Sequence, residues 1–125
     1  MAGGALGSGF RYLTIIAINS LSKTYLFKLA KFPLATLTVN SLGSVLIGVL
    51  YYFIIKNFDN FDLRLKNFLI VGVLGGFTTF SAFSLDVFRL ITAGNYAESI
   101  SYILISIILP ILGVFFGFYL AKAIF

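Results

Sequence analysis

Charge is confined to a few short stretches of this chain, and that confinement sets what it can fold into. No Asp, Glu, Lys or Arg interrupts residues 32–55, 67–85 or 99–121. Each run approaches or exceeds the ~20 residues that carry a helix across a bilayer core. Of the 125 residues, 60% are hydrophobic and 10% are charged. A soluble domain of this size buries only ~60–70% of the surface its unfolded chain exposes, so it could not hide that much apolar area. The chain reads as an all-α integral membrane protein, one domain over residues 1–125 with no room for a soluble module and no clear internal repeat.

Four spans are predicted, at about residues 3–20, 33–56, 67–91 and 99–123. Pro33 suits the first turn of the second, where a missing N–H would be unpaired anyway. The linkers are SLSKTYLFKLAK, NFDNFDLRLK and TAGNYAE; the first, with Lys23, Lys28 and Lys31 among apolar residues, is predicted as a short interfacial helix. Met1 leads straight into AGGALGSG, without the basic segment of a signal peptide. The net charge of +5 does not call for nucleic acid, because the basic residues stand at span ends, where Lys and Arg anchor to the interface.

With four spans, one side of the membrane carries Lys56, Arg64, Lys66 and Lys122 and the other Lys23, Lys28, Lys31 and Arg89; Arg11 lies inside the first span. Four against four is no bias, although such a bias is what normally orients a membrane protein. Two outcomes are open. Features beyond this count could fix one orientation, or the chain could insert both ways and pair as an antiparallel homodimer.

Polar residues at membrane depth point to function. Thr36, Asn40, Ser44 and Gly48 fall four apart and share one face of the second span. A close-packing seam accounts for Ser44 and Gly48; it accounts less well for Asn40, whose amide needs partners. In the fourth span Tyr102 and Ser106 share a face, with Pro110 one turn on. The third span holds LGGFTTFSAFS, Leu74–Ser84, at mid-depth. Gly75 and Gly76 are poor helix formers, and Thr78, Thr79 and Ser81 compete for local backbone bonds, so a break is predicted here. A break at membrane depth is tolerated where protein or a water-lined cavity surrounds it. Phe80 and Phe83 then share a face, beside Ser81 and Ser84. Ring edges are weakly positive and can touch a small anion, although ordinary packing is the commoner use of two such rings.

Several classes are excluded. With no Cys and no His, the chain has no disulfide, no thiolate or imidazole metal site and no imidazole proton relay. Spans 1, 2 and 4 lack Asp and Glu; Asp86 comes near the end of span 3 and Glu98 falls in a linker. A proton-coupled exporter would need an embedded carboxylate. No nucleotide-binding loop or catalytic triad is present, and enzyme activity has no support.

Three segments in order resemble the Fluc/CrcB family of fluoride channels. GGALGSGFRY, Gly3–Tyr12, resembles the family's opening GGxxGxxxRY. FPLATLTVNSLGSVLIG, Phe32–Gly48, resembles its P-x-x-T-x-x-x-N-x-x-G segment. GVLGGFTTFSAFSLDVFRL followed by AGNY resembles its signature third span. The resemblance implies a dual-topology antiparallel homodimer in the cell inner (plasma) membrane, exporting cytoplasmic fluoride down its gradient through two pores. It implies a central structural sodium on the two-fold axis, held by backbone carbonyls at Gly75 and Thr78, two from each subunit. The implied anion pathway comprises Asn40, Phe80, Phe83, Ser81, Ser84, Tyr102 and Ser106, with Arg11 at the aqueous vestibule. Pro110 departs from the family, whose members often carry a hydroxyl there. Small dual-topology multidrug exporters are the rival; they need a carboxylate in span 1, where this chain offers Arg11.

Overall fold

The computed structural model describes residues 1–25 and 32–125, and all regular secondary structure among them is helical. The predicted interfacial helix falls largely on residues 26–31, with Lys28 and Lys31, outside the described residues. Helix α1 covers Ala2–Tyr25, and α2 covers Leu34–Lys56. Pro33 takes the N-cap position of α2, one residue before the turn the sequence suggested for it. A 3₁₀ turn, Phe58–Asn60, leads into a composite third element: α3 at Leu63–Asn67, a π-helical stretch at Phe68–Leu74, α4 at Gly75–Phe77 and α5 at Phe80–Thr92. Gly94, with φ at +79°, turns the chain into α6, Tyr96–Ile124.

Among the described residues, three segments are long and apolar enough to cross a membrane: Leu34–Lys56, Leu63–Thr92 and Tyr96–Ile124. The chain is therefore a multi-pass membrane protein. Helix α1 is of similar length, 24 residues, but Gly3, Gly4, Gly7, Ser8, Gly9 and Arg11 dilute its apolar character. Those small residues have a packing role. A Cβ on Gly7 would overlap the Val73 carbonyl, and one on Gly76 would lie 2.7 Å from the Gly4 carbonyl oxygen. Backbone thus meets backbone where α1 lies along the first half of the third span.

The most extensive helix pairing joins α2 to α6. It uses the same device: a Cβ on Gly48 would overlap the Val114 carbonyl, and one on Gly117 the Val45 carbonyl. In lipid the hydrophobic effect does not drive helices together, so close backbone approach and dispersion take its place. At the end of this pair Tyr52 packs edge-on to Phe118, Phe53 meets Phe125, and the Lys56 ammonium lies 5.7 Å above the Tyr52 ring. Lys56 Nζ also donates to the Phe125 carbonyl at 2.9 Å. Rings and a cation at a span end form an interfacial anchor.

The glycine seams yield a paired expectation. Gly117→Ala drives a methyl into backbone and should cost ~1–3 kcal/mol. Gly9→Ala meets nothing within 4 Å and should be neutral or gain up to ~1 kcal/mol from helix propensity. Thermal unfolding of the two variants in detergent checks the contrast.

Candidate functional site

The third span is broken, but not where glycine suggested. Gly75 and Gly76 are helical, and the interruption falls on Thr78 and Thr79, whose backbones are extended (φ −79°, ψ 155° and φ −151°, ψ 121°). Both threonines are β-branched, which suits extended backbone. Thr78 closes the first half: its N–H and its hydroxyl both donate to the Leu74 carbonyl, at 2.9 and 3.0 Å. Thr79 opens the second half as N-cap, its Oγ1 accepting from Ala82 N–H at 3.3 Å.

Asn40 holds the gap between them. Its Oδ1 accepts from Thr79 N–H at 2.8 Å, and its Nδ2 donates to the Thr79 carbonyl at 3.0 Å. One side-chain amide therefore satisfies both backbone groups of the extended residue, as a neighbouring strand would. In an unbroken helix Thr79 N–H would go to the Gly75 carbonyl. Asn40 diverts it, leaving that carbonyl without its ladder donor on an exposed face of the span. A Cβ on Gly43, one turn along α2, would overlap the Thr78 side chain, so α2 can seat the break only with glycine there.

Beside the break lies a cavity of about 300 Å³. It brings together four of the expected pathway residues, Asn40, Phe80, Phe83 and Ser106, and Thr78 of the expected cation site, with Ser44, Thr79 and Pro110. Among the described residues no charged side chain lines it. The remaining expected residues lie around it. Ser81 Oγ is 3.2 Å from Thr79 Oγ1, and Ser84 Oγ donates to the Phe80 carbonyl at 3.0 Å, so both hydroxyls are engaged close to the break. Tyr102 is fully buried in a small core with Leu37 and Leu90. Its hydroxyl donates to Asp86 Oδ2 at 3.3 Å.

Rings link these parts. Phe80 to Phe83, Phe83 to Tyr102, and Tyr102 to Phe32 each have centroids 5.4 Å apart. This row leads from the break to a larger cavity of about 530 Å³, lined by Thr36, Asp86, Arg89 and Asn95 among others, which carries one charge of each sign. Arg11 is half-buried on α1 and lines neither cavity.

Two contributors were missed from sequence. Thr79 weakens the helix by composition, but a hydroxyl three residues before Ala82 is also an N-cap signal. Asp86 stands near the span end, yet its spacing of three from Phe83 puts it on the face that meets Tyr102. Among the described residues no group of His, Cys, Asp or Glu could hold a metal. The released Gly75 carbonyl and the extended Thr78 are the oxygen donors the break offers.

These features define the class: an all-helical, multi-pass membrane protein with a broken helix beside a neutral, ring-lined cavity. The particular family follows from comparison. Residues 1–118 match the model of the CrcB-like protein, Camphor Resistance (CrcB) family, and the chain belongs to that family. It is 45% identical over 120 residues to the fluoride-specific ion channel FluC of Bacteroides fragilis, covering 96% of this chain and 91% of that protein. It is 42% identical over 123 residues to the FluC of Agrobacterium fabrum, covering 98% and 93%. With the FluC of Helicobacter acinonychis it shares 39% over 120 residues, covering 96% and 90%. By name these relatives are channels, not enzymes.

The clamp sets an expectation of its own. Asn40→Ala removes both bonds to Thr79 and should destabilise the fold by ~1–3 kcal/mol, the cost of leaving buried backbone groups unmet. Asn40→Asp keeps the acceptor but turns a carboxylate onto the Thr79 carbonyl. Hydrogen exchange should find the Thr79 amide protected in the native chain and exposed in Asn40→Ala.

Proposed function

We propose that this chain is a passive fluoride channel, and that the anion moves along the break-side cavity and the row of rings. The neutral lining of that cavity carries the reading. A small, strongly hydrated anion needs donors at close range, yet a fixed cation there would trap it; conduction requires contacts strong enough to replace water and weak enough to release. Asn40 has a second Nδ2 proton beyond the one given to Thr79. Ser106 adds a hydroxyl, and the edges of Phe80 and Phe83 add weakly positive hydrogens. Ser81, Ser84 and Tyr102 extend the path along α5 and α6, and Arg11 draws anions toward the mouth. The names of the relatives support fluoride as the ion.

The working unit is an antiparallel homodimer with two pores. Phe80 is 78% exposed in the single chain, and Gly75 is exposed beside the break. Interrupted backbone is not stable against lipid, so protein must cover this face. The even split of Lys and Arg supports insertion in both orientations. All four long helices, α1 included, then cross the cell inner membrane. The freed Gly75 carbonyl, with that of Thr78, suits a sodium ion shared between subunits; hard oxygen donors at an unwound turn are the usual alkali-cation set in membrane proteins. When bound, the ion would supply fixed positive charge at the joint between half-helices. The multidrug-exporter alternative finds no carboxylate on α1, and Asp86 is engaged by Tyr102.

Fluoride efflux from proteoliposomes under a potassium gradient should run at the same rate with and without a proton gradient; no flux, or flux that follows the proton gradient, contradicts a channel. Phe80→Ile and Phe83→Ile should each slow efflux at least about tenfold, equivalent to ~1.4 kcal/mol on the barrier. The dimer should stay intact by size-exclusion chromatography.

A further inference from the structure

The residue in α6 with no counterpart among the expected site residues is Pro110, and it changes what Ser106 can do. Helix α6 runs unbroken through it. Proline has no N–H, so the Ser106 carbonyl loses the donor that every neighbouring carbonyl in the helix interior has. The Ser106 hydroxyl is underused as well: its Oγ is buried without a hydrogen bond of good geometry, its interaction with the Tyr102 hydroxyl one turn back being a weak one. Ser44, Ser84 and Ser101 give their proton to their own helix, at the Asn40, Phe80 and Ala97 carbonyls, whereas Ser41 and Ser99, like Ser106, have a buried Oγ without such a bond. Of these three, Ser106 alone lines the break-side cavity.

Both groups belong to one residue on the wall of the break-side cavity, and Pro110 lines the same wall. A buried hydroxyl and a carbonyl without its ladder donor, on one residue that lines about 300 Å³ of space, are polar partners of the kind a structural water requires. Asn40 and Ser44, across the cavity, add polar atoms to the same space.

We propose that the Ser106–Pro110 turn holds a resident water, which accepts from the Ser106 hydroxyl, donates to the Ser106 carbonyl and turns its second hydrogen into the cavity as an anion donor. The water hides a carbonyl that would otherwise repel an anion. It also supplies a hydrogen one turn beyond the Ser106 hydroxyl, where the chain has proline. Pro110 is on this account a positioning residue acting through Ser106 and its water. The proposal rests on the fluoride-channel reading for its consequence, but the water site stands on the geometry alone.

The test pairs a high-resolution structure in lipid with fluoride efflux for the native chain, Pro110→Ala and Pro110→Ser. The native map should show ordered solvent at Ser106, and the Pro110→Ala map should show none, because alanine restores the N–H to the Ser106 carbonyl. Efflux should fall about tenfold in Pro110→Ala, a change of ~1.4 kcal/mol by rate theory, and return to within about twofold of native in Pro110→Ser, whose hydroxyl replaces the water's hydrogen. An empty native site, unchanged efflux in Pro110→Ala, or equal loss in both variants overturns the proposal. Native protein with the water present but no fluoride flux would sink the channel reading and leave the water site standing.

Discussion

The two hydrogen bonds between Asn40 and Thr79 are the constraint on which the rest of this structure depends. A membrane helix can open only if its freed N–H and C=O groups find partners, because lipid offers none. Here one amide side chain meets both groups of a single extended residue. Its reach from α2 sets where the break falls, and it turns the Gly75 carbonyl loose on one side while Phe80 and Phe83 emerge beside the cavity on the other. Thr78 and Thr79 finish the work locally, one ending α4 and the other capping α5.

Such a joint needs its surroundings held still. Glycines do this by letting α1 and α6 come within backbone contact of their neighbours, so that the half-helices cannot slide. Gly43 belongs to both systems, since it lies one turn from Asn40 and makes room for the Thr78 side chain. Small residues in this chain are therefore less about flexibility than about approach. The cavity that results lies between α2, α5 and α6 and is open on the side where Phe80 faces outward.

Much of this was legible in the sequence, and the failures have physical causes. Charge-free runs locate the long helices, because a bilayer imposes their length whatever the packing. The break was expected in the right segment but begun too early, at Gly75. Local propensity registers that glycine weakens a helix; it does not register that Gly76 is there to admit Gly4, a partner more than seventy positions distant. Asn40 was singled out correctly as an amide in need of partners, yet its partner is backbone that exists in that form only after the helix has opened. On α5, helical periodicity placed Ser81 and Ser84 beside the rings, but two extended residues reset the phase of the helix. Its facing side could not be carried through from the first half of the span. The Tyr102–Asp86 pair was hidden for a simpler reason, since it joins two spans whose relative height the sequence does not state.

The central claim is that Thr79 is bonded to Asn40 and not to Gly75 while the protein sits in a membrane. Solid-state NMR on bilayer samples labelled with ¹⁵N-threonine and ¹³C-asparagine measures this directly, through the dipolar coupling between Thr79 N and the Asn40 side-chain carbonyl carbon. A coupling that reports the short separation of a hydrogen-bonded pair is the expected result. A vanishing coupling, with the Thr79 amide instead close to the Gly75 carbonyl carbon, would mean an unbroken helix and would contradict the account.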